Sequence, residues 1–341
     1  MTQGDFSSLA SSIQAVASPF RQYLNDLYET YQPVTDGAVA DYIPELALAD
    51  PNWYGVCVVT ADGQTFDVGD CDQLFTIQSI SKAFVYGLAL EDHGRDHVTS
   101  KVSMEPTGEA FNAIVLDEAT NRPYNPMVNA GAIATTDLIK GDNSTERLKR
   151  ILDMFKRYTG RDHEINVPVF LSEKSTGHRN RAMAYLMLNF GMVTDRIDET
   201  LDLYFQQCSI MVNGQDLAMM AATLANGGVN PITQERALDA QYVQDVISVM
   251  LTCGMYDYSG EWAYRVGMPA KSGVGGGITA VAPGQLGIGT FSPPLDPKGN
   301  SYRGLKVCED IARDFGLHMF NVAGAERNLQ DWLQGRGSDS W

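Results

Sequence analysis

A chain of 341 residues with 44% apolar and 20% charged positions can bury enough surface for one large domain or two lobes. Its 42 acidic against 25 basic residues leave a net charge of −17, which argues against a surface built to hold phosphate backbones, so no nucleic acid partner is expected. The longest apolar run, "AFVYGLAL", is far short of the roughly 18 residues of a membrane span, and no membrane partner is expected either.

The opening stretch "MTQGDFSSLASSIQAVASPF" holds no Lys or Arg and is studded with Ser, so no signal peptide is expected and the chain reads as cytoplasmic. Leu9, Ile13 and Val16, then Phe20, Leu24 and Leu27, keep a helical spacing broken at Pro19. "WYGVCVVTADGQTFDVG" is a hairpin signal, β-rich on both sides of Asp62-Gly63. In "NSTERLKRILDMFKRYTG", Asn143 can cap with Glu146 three residues on; Leu148, Ile151, Leu152 and Phe155 mark the apolar face, and Gly160 ends the helix. Asn213 and Asp216 make a similar start, stopped at Gly227-Gly228. "GGGITAVAPGQLGIGTFSPP" gives two more strands around Pro283-Gly284, closed by Pro293-Pro294, and "KVCEDIARDFGL" the last helix.

Two strand clusters far apart in sequence imply one antiparallel sheet made from both chain ends and flanked by helices. The expected fold is α/β (α+β): a single domain over 1–341, with a sheet lobe from 1–95 plus 250–330 and an inserted all-helical lobe from 96–249.

Cys57, Cys71, Cys208, Cys253 and Cys308 are odd in number and lack a C-x-x-C pair, so neither a disulfide framework nor a zinc cluster is expected. A cysteine nucleophile stays open on spacing alone, against the commoner fate of a buried inert thiol. His93 and His97 are four apart, but Gly94 is expected to break the helix between them and no third metal ligand is evident. "NST" at Asn143 is a glycosylation sequon only in a secreted chain.

The strongest chemical signal is "FTIQSISKAF". Ser79 and Lys82 are three apart at the start of an apolar helix, so a neutral Lys82 amine can reach the Ser79 proton. Burial among Ala83, Phe84, Val85 and Tyr86, with another cation nearby, would lower the lysine pKa as that role requires. The bland alternative makes Ser79 an N-cap and lets Lys82 reach solvent. The pair gains weight beside Lys271-Ser272-Gly273 in "PAKSGVGGG", because Ser-x-x-Lys with a Lys-[Ser/Thr]-Gly strand resembles the serine β-lactamases and penicillin-binding proteins. That resemblance implies a serine β-lactamase/transpeptidase-like fold.

A more specific resemblance follows from "ADYIPEL", "QSISK", "NPMVNAGAI", "LSEKSTGHRNRAMAYLM", "LYFQQCSI", "MAATLANGG", "CGMYDYSGEW", "PAKSGVGGG" and "SPPLDPKGNS", which stand in the order found in the glutaminase family, from about Gly37 to Phe315. The resemblance implies a hydrolase acting on a linear amide, turning L-glutamine into L-glutamate and ammonia with no metal or organic cofactor. By motif position it makes Ser79 the nucleophile, Lys82 its base, Tyr256 a proton shuttle, and the backbone N–H groups of Ser79 and Val274 the oxyanion hole. It places Tyr42, Gln78, Asn129, Glu173, Asn180 and Tyr204 on the substrate, and implies a homodimer or homotetramer. The residue types suit a free amino acid: Glu173 for the α-ammonium, Asn129, Asn180 and tyrosine hydroxyls for the α-carboxylate. Two other readings are a β-lactamase or peptidase-like acyl hydrolase and a non-catalytic amino-acid sensor.

Overall fold

The computed structural model describes residues 18–110, 112–322 and 327–335, so Leu9, Ile13 and Val16 lie outside the described residues. The strands are β1 (Gly55–Thr60), β2 (Thr65–Gly69), β3 (Phe75–Thr76), β4 (Met211–Val212), β5 (Ala270–Gly273), β6 (Gly277–Ala282) and β7 (Leu286–Phe291). The helices are α1 (Pro19–Tyr31), α2 (Ser81–Lys101), α3 (Asn129–Asp137), α4 (Ser144–Thr159), α5 (Val167–Thr176), α6 (His178–Asn189), α7 (Ile197–Cys208), α8 (Gly214–Ala225), α9 (Ala240–Cys253), α10 (Ser259–Arg265), α11 (Tyr302–Asp314) and α12 (Leu329–Leu333).

Five strands make one antiparallel sheet in the order β2-β1-β7-β6-β5. Both expected hairpins form, with Gly63 (φ 91) and Gly284 (φ 73) in their turns, and β1 meets β7 so that the two chain ends share the sheet, Val58 lying opposite both Phe66 and Ile288. One face packs against α1, α11 and α12, where Phe20, Leu24, Val56, Ile288, Val307 and Trp332 share a core. Each such side chain contributes about 1.5–3 kcal/mol by leaving water. The tail beyond Phe315 is thus bound to the core through Leu329 and Trp332.

The other sheet face packs against α8. Its Ala218 and Ala222 meet Cys57 and Val59, and Gly287 and Gly289 admit its backbone: a Cβ on Gly287 would lie 2.1 Å from the Ala222 nitrogen. This helix belongs to the 96–249 stretch expected to form the helical lobe, yet it lies on the sheet. Four small residues in contact allow that approach, and helical periodicity alone does not say what a helix packs on.

Helix α4 begins and ends as expected: the Asn143 side chain accepts from the Glu146 N–H at 3.0 Å, and Gly160 closes it at φ 84. Ile151 and Phe155 are buried, but Leu148 and Leu152 are only partly so, because Arg147 takes the inner face. Its guanidinium donates to the carbonyls of Thr136, Asp137 and Ile139, at and just beyond the end of α3, where a cation is favoured. As expected, Gly94 interrupts the helix: with φ 76 and ψ 166 it divides α2 into two helical segments, and the His93 and His97 rings stack across the break at 4.9 Å. No group of three His, Cys, Asp or Glu among the described residues is placed to hold a metal ion, and no described helix is long and apolar enough to cross a membrane.

Candidate active site

The nucleophile candidate is held by three elements. β3 pairs with β4, the Ile77 N–H donates to the Ile210 carbonyl at 2.9 Å, and the chain then turns through a 3-10 segment, Gln78–Ile80, into α2. Ser79 therefore lies one turn before the α-helix rather than in it, and neither the 3-10 segment nor α2 has a side-chain cap. Strand β5 closes the third side. A Cβ on Gly273 would stand 2.8 Å from the Ile77 carbonyl oxygen, so only glycine lets the strand come this near.

Ser79 and Lys82 are both buried, and Lys82 does not reach solvent. Its Nζ donates to Asn129 Oδ1 at 2.6 Å and to the Met127 carbonyl at 3.3 Å. Burial pulls its pKa down to about 8, although the nearby Glu173 works the other way. A second lysine, Lys271, is also fully buried; its Nζ donates to the Ser272 carbonyl at 2.7 Å and lies 4.4 Å from the centre of the Tyr256 ring. Burial, then repulsion from Lys82, pushes its pKa well below the ordinary lysine value.

Tyr256 sits in a 3-10 turn with φ 56, and Gln78, beside the candidate nucleophile, has φ 52. Non-glycine residues in this region carry strain, and finding two of them next to Ser79 marks a site that the surrounding fold enforces. The Tyr256 hydroxyl lies against the Ser79 side chain and the Val274 backbone, and burial raises its pKa.

In front of Ser79 is a cavity of 340 Å³ lined by Tyr42, Gln78, Ser79, Asn112, Asn129, Glu173, Thr176, Gly177, Arg179, Asn180, Tyr204, Cys208 and Val274. It brings together all the residues expected from the sequence except Lys82 and Tyr256, which stand directly behind Asn129 and Ser79. Hydrogen bonds link them in two groups. Tyr42 Oη donates to Glu173 Oε1 at 2.6 Å; Asn129 Nδ2 donates to Asn180 Oδ1 at 3.1 Å; Tyr204 Oη donates to Asn129 Oδ1 at 3.3 Å. Burial raises the Glu173 pKa, an effect opposed by hydrogen bonds from Tyr42 and Gln78 and by the Lys82 charge.

Asn112, Thr176, Gly177, Arg179 and Cys208 line the cavity without having been expected there. "STGHRN" held the signal for three of them, since Asn180 one helical turn from Gly177 carries its neighbours to the same wall. Cys208 is not the open nucleophile its type allows: burial pushes its thiol up to about 12, so it stays protonated. All five cysteines are free.

The fold and cavity define a mixed α/β protein whose buried Ser–Lys pair opens onto a pocket with one carboxylate and several amides and phenols, the equipment of an acyl-transferring hydrolase acting on a small polar molecule. A profile of the glutaminase family matches residues 37–320. A glutaminase of Microcystis aeruginosa is 75% identical over 331 residues, covering 97% of this chain and 98% of the relative. Among solved structures, probable glutaminase YbaS superposes with a TM-score of 0.86 at 43% identity, covering 89% of this chain and 99% of that one. Mglu in its L-glutamate binding form, at 4.3 M NaCl, gives 0.86 at 40% identity, with 91% and 70% covered. The chain belongs to the glutaminase family.

Proposed function

We propose that this glutaminase hydrolyses L-glutamine to L-glutamate and ammonia through an ester on Ser79. The observation that carries the reading is the buried Lys82, which has no access to solvent and a pKa of about 8, so that a substantial fraction is neutral near physiological pH. A neutral Lys82 takes the Ser79 proton as Oγ attacks the side-chain carbonyl carbon of glutamine. The tetrahedral oxyanion is held by the N–H groups of Ser79 and Val274, both on the cavity wall, and the helix behind Ser79 adds its positive end. Tyr256, against the Ser79 side chain, relays the Ser79 proton from Lys82 to the nitrogen as the C–N bond breaks and ammonia departs; a water then gives a proton to Lys82 as it attacks the ester, and that proton returns to Ser79 Oγ as glutamate leaves.

Glu173 takes the α-ammonium, supported by the hydrogen bond it accepts from Tyr42, while Gln78, Asn129, Asn180 and Tyr204 orient the rest of the amino acid. A serine β-lactamase/transpeptidase-like fold is supported by the five-stranded antiparallel sheet made from both parts of the chain, by the Ser79–Lys82 spacing and by Lys271-Ser272-Gly273 on β5. Free thiols favour a cytoplasmic location, and a homodimer or homotetramer is the family expectation.

Ammonia release from L-glutamine by the wild type and by Ser79→Ala tests the reading. Loss of the nucleophile is expected to cost about 10⁴–10⁶-fold in kcat with the fold intact. Turnover retained within tenfold would remove Ser79 from the mechanism.

A further inference from the structure

The wall formed by the end of α5 and the start of α6 holds more than the substrate contacts assigned above. Glu173, Thr176, Gly177, Arg179 and Asn180 all line the cavity from this one corner. Among the cavity-lining residues, Glu173 is the one carboxylate and Arg179 the one cation. The neighbouring cations are engaged elsewhere: Lys174 pairs with Asp202 at 2.7 Å, and Arg181 donates to the Lys174 carbonyl. Arg179 is exposed and is in no ion pair among the described residues.

Part of the pocket's neutral hydrogen-bonding capacity is already committed. Asn129 Oδ1 accepts from Lys82 and Tyr204, its Nδ2 donates to Asn180, and Tyr42 donates to Glu173. A zwitterion whose ammonium lies at Glu173 thus meets only neutral donors for its carboxylate, such as the Asn180 amide, unless Arg179 supplies the charge. Arg179 stands on the same corner, in the first turn of a twelve-residue helix whose positive end favours an anion. Elsewhere the chain carries an excess of 17 negative charges, so a carboxylate is repelled at long range unless a local cation offsets the field.

We propose that Arg179 is a specificity-determining residue that captures the α-carboxylate of the amino acid at the cavity rim, so that Glu173 and Arg179 together select a zwitterion. This rests on the assignment of the cavity as the glutamine site. Arg179 acts on entry and affinity, not on the Ser79 chemistry, and it holds the product glutamate by the same carboxylate.

The test uses the full chain with Arg179→Gln and Arg179→Lys, assayed on L-glutamine and on L-glutamine α-amide, which keeps the ammonium and side-chain amide but lacks the carboxylate. Glutamate inhibition is measured in parallel, all at low and high NaCl. For Arg179→Gln the expected result is a kcat/KM for glutamine lowered about five- to tenfold, with kcat within about twofold and the α-amide unaffected. Glutamate inhibition weakens by a similar factor, Arg179→Lys retains most of the wild-type value, and high salt erodes the wild-type advantage. Equal losses on both substrates, a loss confined to kcat, or unchanged kinetics with glutamine and glutamate would overturn the proposal. Should Arg179→Gln fail to fold, the wild type decides: its kcat/KM must fall with NaCl for L-glutamine and not for the α-amide, and an equal salt response on both would overturn the proposal. Ser79→Ala run alongside separates the two ideas: its inactivity with an indifferent Arg179 removes only the rim role, whereas its activity removes the cavity assignment and the rim role together.

Discussion

Lys82 shows what burial does to one side chain. Moving an ammonium out of water costs several kcal/mol, and Asn129 Oδ1 and the Met127 carbonyl return only part of that, so the proton is held loosely. Because the working form is the neutral amine, kcat/KM is expected to rise with pH and reach half its maximum near pH 8, the value to which burial brings Lys82. A pH–rate profile on glutamine checks this; a flat profile between pH 6.5 and 9 would exclude Lys82 as base. Stability carries the same sign. Between about pH 8 and the ordinary lysine range near 10.4, the unfolded chain holds a Lys82 proton that the folded chain has lost, so this site's contribution to stability grows as pH rises through that window. Lys271, likewise lowered by burial, adds in the same direction. Chemical unfolding at pH 8 and at pH 10 for the wild type and Lys82→Met measures the contribution as the part of the pH dependence that the variant lacks.

Helix α8 and the sheet show how an element is placed by what its partner omits. A strand residue with a side chain at 287 or 289 would hold the helix off; glycine at both admits its backbone. Gly287→Ala is expected to destabilise the chain by roughly 1–3 kcal/mol, as overpacking does in a filled core. Because α8 follows directly on β4, which pairs with the strand leading to Ser79, kcat is expected to fall as well. Denaturant unfolding and steady-state kinetics read both effects. Gly273 works the same way at β5, bringing the strand that ends beside Val274 within reach of the Ser79 turn.

On the scale of the whole molecule the dominant fact is the surplus of 17 negative charges, whose mutual repulsion weakens the compact state. The described ion pairs are mostly partly exposed, as for Lys149–Asp153 and Lys156–Asp162, and such pairs contribute little. Screening repulsion should then outweigh screening attraction, so Tm is expected to rise by a few degrees between 0.05 and 1 M NaCl. Differential scanning calorimetry across that range tests it; a falling Tm would assign more weight to pairs with a buried carboxylate, such as Arg150–Asp92 and Arg161–Asp216.

The hairpins at Asp62-Gly63 and Pro283-Gly284, the capped helix from Asn143 to Gly160, and the Ser79–Lys82 spacing are local facts. Turn chemistry, caps and helical period act over a few residues, and the sequence by itself determines them. The ordered motifs also placed Tyr42, Asn129, Glu173, Asn180, Tyr204 and Val274 at one site, and they do line one cavity. What only the tertiary structure decided depends on residues distant in the chain. Lys82 loses its water because α2 is enclosed, Arg147 takes an inner position because carbonyls at the end of α3 await it, and α8 lies on the sheet because two glycines of β7 leave room. Arg179 lines the cavity beside Asn180, a neighbourhood that "STGHRN" signals, but that the corner between α5 and α6 forms a cavity wall is decided by the assembled fold. Desolvation and close approach are properties of assembled surfaces, and a linear pattern carries neither.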